Sequence, residues 1–224
     1  MQGNEYHLLS LFADGGAMMY PLVLCSLMAL GVIIAKAFTL WTAARKSRQI
    51  MKQVEELGLE NRIDEAIRLA QETPGPVAAI LLAGLRRMRR QAPGEDVEMA
   101  VKTTGVIELG FLERGLVVLA TVSNVAPLMG FLGTVAGMIA AFGAIAEAGQ
   151  VEASLVAGGI KIALITTAAG LIIAIPVNIA YNYFVTRIDR LIVEMERGSA
   201  TVINLLWGLD QAPQVAVADT QPNA

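Results

Sequence analysis

Three stretches of this 224-residue chain contain no Asp, Glu, Lys or Arg: Gly15 to Ala35, Gly115 to Ala146 and Ile162 to Thr186, which are 21, 32 and 25 residues long. Histidine and cysteine are nearly as scarce, with one of each, His7 and Cys25. A lone cysteine excludes an internal disulfide. With His7 near the N-terminus and Cys25 inside the first charge-free run, no metal-ligand set or Cys–His nucleophile pair can be assembled. Residues 1 to 16 carry no Lys or Arg. Glu5 and Asp14 stand where a signal peptide needs a basic n-region, and the apolar run that follows is longer than a normal h-region, so the first run reads as a retained span. Phosphate-loop chemistry is missing too: Gly130, Gly133 and Gly137 have no Lys-Ser/Thr after them and no strand before them. No cofactor and no enzymatic activity are expected.

About 20 apolar helical residues cross the hydrocarbon core of a bilayer. Inside lipid only helices or closed barrels satisfy the backbone, and these runs show no period-two alternation. The composition, 55% hydrophobic and 17% charged, lies well to the apolar side of the soluble norm of about 25% charged residues. The expected fold is an all-α membrane protein with three transmembrane helices, the second and third extending into the cytoplasm, plus a helical cytoplasmic loop.

Orientation follows from the basic residues near the membrane ends. Arg45, Lys46, Arg48, Lys52, Lys102, Arg114, Arg187, Arg190 and Arg197 flank one side, against Lys161 alone on the other, where Glu147 and Glu152 are the acidic residues. The expected order is an extracytoplasmic segment 1–16, transmembrane helix 17–41, cytoplasmic helical region 42–114, transmembrane helix 115–146, a short periplasmic loop 147–161, transmembrane helix 162–186, cytoplasmic helix 187–207 and a disordered tail 208–224. Gly58, Pro74-Gly75-Pro76 and Pro93-Gly94 are the expected breaks in the cytoplasmic region. Asn61, three residues before Asp64, is expected to cap a helix whose apolar side carries the Ile63, Ile67 and Ala66, Ala70 spacings. Past Pro93-Gly94 the helical pattern runs on into the second span without an obvious stop.

Within the spans, small and weakly polar residues recur at three- and four-residue spacing: Ser123, Pro127, Gly130, Gly133, Gly137 and Ala141 in the second, and Ala163, Thr167, Gly170, Ala174 and Asn178 in the third. Such faces let helix backbones approach closely. For Thr134, Thr166, Thr167, Asn124 and Asn178, a polar pore lining competes with packing, and the sequence leaves both open. Pro127 and Pro176 each remove a backbone donor, giving either a packing bend or a hinge. No acidic residue lies at depth, although conduction of protons or cations through lipid normally requires one. Lys36 lies close enough to a helix end to snorkel outward. If the chain conducts ions, another subunit must bring the titrating carboxylate.

The runs LERGLVVLATVSNVAPLMGFLGTVAGMIAAF (Leu112 to Phe142) and GGIKIALITTAAGLIIAIPVNIAYNYF (Gly158 to Phe184) resemble the two signature helices of the MotA/TolQ/ExbB proton-channel family, most sharply at PLMGFLGTV and LITTAAGLIIAIP. Three spans and a large loop match its ExbB and TolQ branch. The resemblance implies a homopentamer in the bacterial inner membrane, with a periplasmic N-terminus and cytoplasmic C-terminus, surrounding the single-span helices of an ExbD/TolR-like partner. That partner's intramembrane Asp carries protons, and force passes to a TonB-like or TolA-like protein. By motif, Thr134 and Thr167 match the hydroxyls facing that Asp. Counted from the outer helix ends, both lie roughly 10 Å deep at 1.5 Å per residue. Many family members carry a Glu where this chain has Ile162.

Arg86, Arg87, Arg89 and Arg90 form a basic cluster that suits anionic lipid headgroups or a solvated face. Without interleaved aromatic residues it does not read as a nucleic-acid site. The sequence thus leads to a proton-motive-force-driven motor subunit acting on outer-membrane transport or envelope processes, with a non-conducting membrane scaffold as the alternative.

Overall fold

The computed structural model describes residues 12–149 and 153–218. His7, Glu152 and the last six residues of the expected tail lie outside the described residues. After a short helical turn at Phe12 to Asp14, six helices follow: α1 (Met19–Leu59), α2 (Ile63–Glu72), α3 (Pro76–Arg89), α4 (Gly94–Glu113), α5 (Leu116–Ala148) and α6 (Ala153–Ala218). No strand occurs among the described residues. Three helical stretches, Met19–Ala43, Gly94–Ala148 and Val156–Leu205, are long and apolar enough to cross a membrane.

The chain divides into two compact units. The apolar unit takes the described part of Met1–Lys36 together with Gly115–Phe184; the polar unit takes Ala37–Arg114 and the described part of Val185–Ala224. Both α1 and α6 run from one unit into the other.

In the polar unit, short connections fold α2, α3 and α4 back and forth. Pro76 opens α3, where its fixed φ and missing donor cost nothing, and Gly75 before it sits at φ 137°, a backbone that only glycine adopts without strain. The core is aliphatic: Val54, Val77, Ile80, Leu81, Leu85, Val97 and Val202 are buried. Glycines set its spacing. A Cβ on Gly84 would lie 2.4 Å from Val202 Cγ1 and 3.0 Å from Val101 Cγ2, and one on Gly58 would lie 2.6 Å from Leu205 Cδ1. Ser47, itself buried, donates its hydroxyl to the Glu194 carboxylate.

Several boundaries differ from the sequence expectation. The helix of the first span runs on past residue 41 and ends at Leu59, next to the expected break at Gly58, where a Cβ would also collide with Leu205. Asn61 is not the cap of α2: it has φ 59° and belongs to the turn that ends α1, while Arg62 takes the N-cap position without a side-chain cap bond. Arg62 is instead held by Glu60 and Glu65. The passage from α4 into the second span is interrupted once, at Gly115, where φ is 89°. The helix that carries the third span is described from Ala153 through Ala218, so residues 208–218, expected in the tail, are helical.

Candidate functional site

In the apolar unit, α5 and α6 form an antiparallel hairpin whose backbones nearly touch. A Cβ on Gly170 would lie 2.6 Å from the Ala126 carbonyl oxygen, one on Gly130 would lie 3.0 Å from the Thr166 carbonyl oxygen, and one on Gly137 would lie 2.8 Å from the Gly159 carbonyl oxygen. At Gly133 the missing side chain is replaced by Thr166, whose Oγ1 lies 2.3 Å from where the Cβ would be. In lipid there is no hydrophobic drive between helices, so close packing of this kind and interhelical hydrogen bonds carry the association. Buried Ala126, Ala141, Ala163 and Ala174 extend the seam.

The seam takes up most of the small residues singled out from sequence: Ser123, Gly130, Gly133, Gly137 and Ala141 are buried on α5, and Ala163, Gly170 and Ala174 on α6. Ala126 joins them beside the half-buried Pro127, and Thr166 and Val177 lie deeper than their neighbours Thr167 and Asn178. The physical cause is Gly133, which leaves a hole that a threonine fills, fixing the rotation of α6 at Thr166.

The five polar candidates therefore separate. Asn124, exposed, donates its amide to the Ala120 carbonyl one turn back at 2.9 Å. Thr166 is fully buried and donates to the carbonyls of Ile162 and Ala163, each at 3.0 Å; in this position it packs helices and has no surface to give a pore. Thr167, partly exposed, donates to the Gly130 carbonyl across the hairpin at 3.1 Å. Thr134, also partly exposed, donates to the Phe131 carbonyl one turn back at 2.6 Å. Asn178 is exposed and accepts from the Asn182 amide at 2.7 Å. From the pairing of Gly133 with Thr166 and of Gly130 with Thr167, Thr134 and Thr167 lie within roughly one helical turn of each other along the hairpin. Pro176 is exposed within α6.

Two charges bound this hairpin. Lys161 forms an ion pair with Asp14 at 2.6 Å, a partner not foreseen from sequence because the two lie far apart in the chain. Lys36 does not snorkel: it is only 8% exposed, and its Cε lies 3.7 Å from a Cβ built on Gly115. Cys25 is buried as a free thiol, and no group of His, Cys, Asp or Glu able to hold a metal occurs among the described residues.

The arginine cluster lies in the polar unit at the end of α3. Arg89 pairs with Asp64 at 3.2 Å, and all four arginines are exposed. α4, antiparallel to α3, has its start beside them and meets the second charge-free run only at its other end, 20 residues on, or roughly 30 Å of helix. That is several Debye lengths, a spacing that suits a solvated face with one ion pair.

Comparison with known proteins agrees with this geometry. The profile of the MotA/TolQ/ExbB proton channel family matches residues 72–197, which include the α5–α6 hairpin. The chain is 32% identical over 183 residues to a putative biopolymer transport protein, ExbB-like 1, of Synechocystis, covering 80% of this chain and 71% of that relative. It is 34% identical over 182 residues to the Tol-Pal system protein TolQ of Pseudomonas aeruginosa, covering 71% and 78%. To the biopolymer transport protein ExbB of Pseudomonas putida it is 29% identical over 195 residues, 84% of this chain but 58% of that longer relative. The match, the three apolar helices and the small-residue hairpin lead to one conclusion: this multi-pass membrane chain belongs to the MotA/TolQ/ExbB proton channel family, in its ExbB and TolQ branch.

Proposed function

We propose that the chain is the channel-forming subunit of an inner-membrane motor that uses proton-motive force, with a periplasmic N-terminus and cytoplasmic C-terminus, assembled as a homopentamer. Its partner is an ExbD- or TolR-type protein with one membrane helix bearing an Asp, and the output passes through a TonB-like or TolA-like protein to the outer membrane.

The observation that carries this is the chemistry of Thr167. Its hydroxyl proton is committed to the Gly130 carbonyl, so the oxygen is left to accept. A protonated carboxyl is a donor and finds an acceptor there; an ionised carboxylate does not. Thr134, with its proton committed to Phe131, offers the same. The pair thus favours the neutral form of an acid brought alongside, which is what an acid needs if it is to pass through lipid-exposed sectors. The charge-free runs hold no carboxylate of their own, and Ile162 occupies the position where many relatives carry Glu, so the route uses the partner's Asp and the two threonines.

The test is proton flux in vesicles holding the intact complex. Thr167→Val together with Thr134→Val keeps the shape and removes both acceptors, and is expected to lower flux at least tenfold, with Thr167→Ser restoring most of it. Wild-type flux in the double valine variant overturns the role of the threonines. Assembly of the complex with no flux in the wild type supports the scaffold instead.

A further inference from the structure

A cleft of about 530 Å³ opens in the polar unit between α1, the α2–α3 turn and α4. Its polar lining is Glu108, the three threonines Thr39, Thr42 and Thr73, and Gln71, whose amide offers both a donor and an acceptor. Glu108 lines it, half-buried among apolar side chains, and takes no hydrogen bond or ion pair from any described residue. Thr42 and Thr73 line it as well, and both have already given their hydroxyl protons to carbonyls, of Phe38 at 2.9 Å and Leu69 at 2.8 Å. No Lys or Arg is among the lining residues. A partly desolvated carboxylate and two hydroxyl oxygens lining the same cleft suit a group with several N–H donors and one positive charge, which is a primary ammonium.

The rim says what carries that ammonium. Phe38 and Phe111 line the cleft and are 71% and 52% exposed, and Trp41 beside them on α1 is 57% exposed, an aromatic girdle of the kind found at membrane interfaces. Glu108 is five residues from the end of α4 at Glu113, roughly 8 Å of helix, and Phe38 three residues from Ala35, roughly 5 Å, the scale of the headgroup layer. Arg114 stacks over the Phe111 ring at 4.9 Å, membrane-ward of Glu108. Going outward from the hydrocarbon, a cation therefore precedes an anion, the order that complements a phosphate followed by an ammonium.

We infer that this cleft binds a phospholipid whose headgroup ends in a primary ammonium, with Glu108 and the Thr42 and Thr73 oxygens around the nitrogen and Arg114 on the phosphate. The site goes beyond the proposed channel and does not depend on it. Choline lipids, lacking N–H donors, and glycerol lipids, lacking the cation, fit less well.

The experiment is native mass spectrometry of the full-length protein in detergent, offered equimolar phosphatidylethanolamine, phosphatidylcholine and phosphatidylglycerol. Wild type is expected to retain phosphatidylethanolamine about tenfold over phosphatidylcholine, the scale of one charge-assisted hydrogen bond. Glu108→Gln brings that ratio near one, and Thr42→Val lowers it part of the way while leaving the carboxylate in place. Equal retention of the three lipids by wild type, or an undiminished preference in both variants, overturns the inference. Displacement of the lipid by millimolar free phosphoethanolamine assigns the cleft to a soluble amine and overturns the lipid assignment.

Discussion

Substitution of Gly133 by alanine separates packing from propensity. On helix propensity alone Gly→Ala stabilises by about 1 kcal/mol, and in a membrane most of that gain is absent because the separated helices stay helical. Against it stands the contact: an alanine Cβ at 133 would lie 2.3 Å from Thr166 Oγ1, 2.6 Å from its Cβ and 3.1 Å from its Cγ2. Thr166 is fully buried and its hydroxyl is engaged with two carbonyls, so it cannot swing aside, and the hairpin must open by several tenths of an ångström along a seam that depends on close approach. Overpacking of this kind costs about 1–3 kcal/mol. Gly133→Ala is thus expected to destabilise by about 1–2 kcal/mol net. Replacing Thr166 by glycine empties the same space, so the double variant is expected to fall short of the summed single effects by about 1–2 kcal/mol. Gly170→Ala is the contrast: its Cβ would meet the Ala126 carbonyl oxygen at 2.6 Å, which is backbone, and no side-chain replacement at 166 relieves it. The assay is reversible unfolding in mixed detergent micelles followed by circular dichroism. A stabilised Gly133→Ala, or strictly additive effects with Thr166→Gly, would refute the reasoning.

In the polar unit, Gly84→Val is expected to cost at least about 2–3 kcal/mol, read as a lowered Tm, since the added atoms would strike Val202 and Val101 on two different helices. Thr167→Val removes one interhelical hydrogen bond and is expected to cost about 0.6 kcal/mol, no more than about 1.7, so a larger loss of transport than of stability marks a functional role. Glu65 is held below the usual carboxylate range by its hydrogen bonds to Arg62. A lowered value contributes stability above the unfolded value and loses it as pH falls, but the group is fully exposed, so Arg62→Ala should leave Tm unchanged between pH 4 and 7. Replacing Arg86, Arg87, Arg89 and Arg90 by Gln is expected to leave partition into anionic vesicles unchanged, because a helix of 20 residues separates them from the apolar runs.

The spans were legible from charge alone, because lipid tolerates so few ionised groups that their absence over 21 or more residues has one physical explanation. The breaks at Pro74-Gly75-Pro76 and Pro93-Gly94 were legible for the same reason of strong local chemistry. The depth of each threonine was not. Thr166 and Thr167 are adjacent and identical in type, and which of them is buried outright depends on the hole at Gly133, a residue 33 positions away. Gly58 marked the end of α1 to within a residue, but its second role, the close approach of Leu205, had no signal in sequence. The burial of Lys36 and the partner of Lys161 had no signal for a different reason: their surroundings, Gly115 and Asp14, come from distant parts of the chain that periodicity does not bring together. The cleft around Glu108 likewise had no signal, being assembled from three elements that each look ordinary alone.

The account rests on a weakly polar pair of spans that lacks a proton carrier of its own. Dissipation of an imposed pH gradient, measured in vesicles containing this chain alone, the chain with its single-span partner, and the chain with that partner's intramembrane Asp changed to Asn, tests it most directly. Flux in the second preparation alone is predicted; equal flux in the first or third contradicts the account.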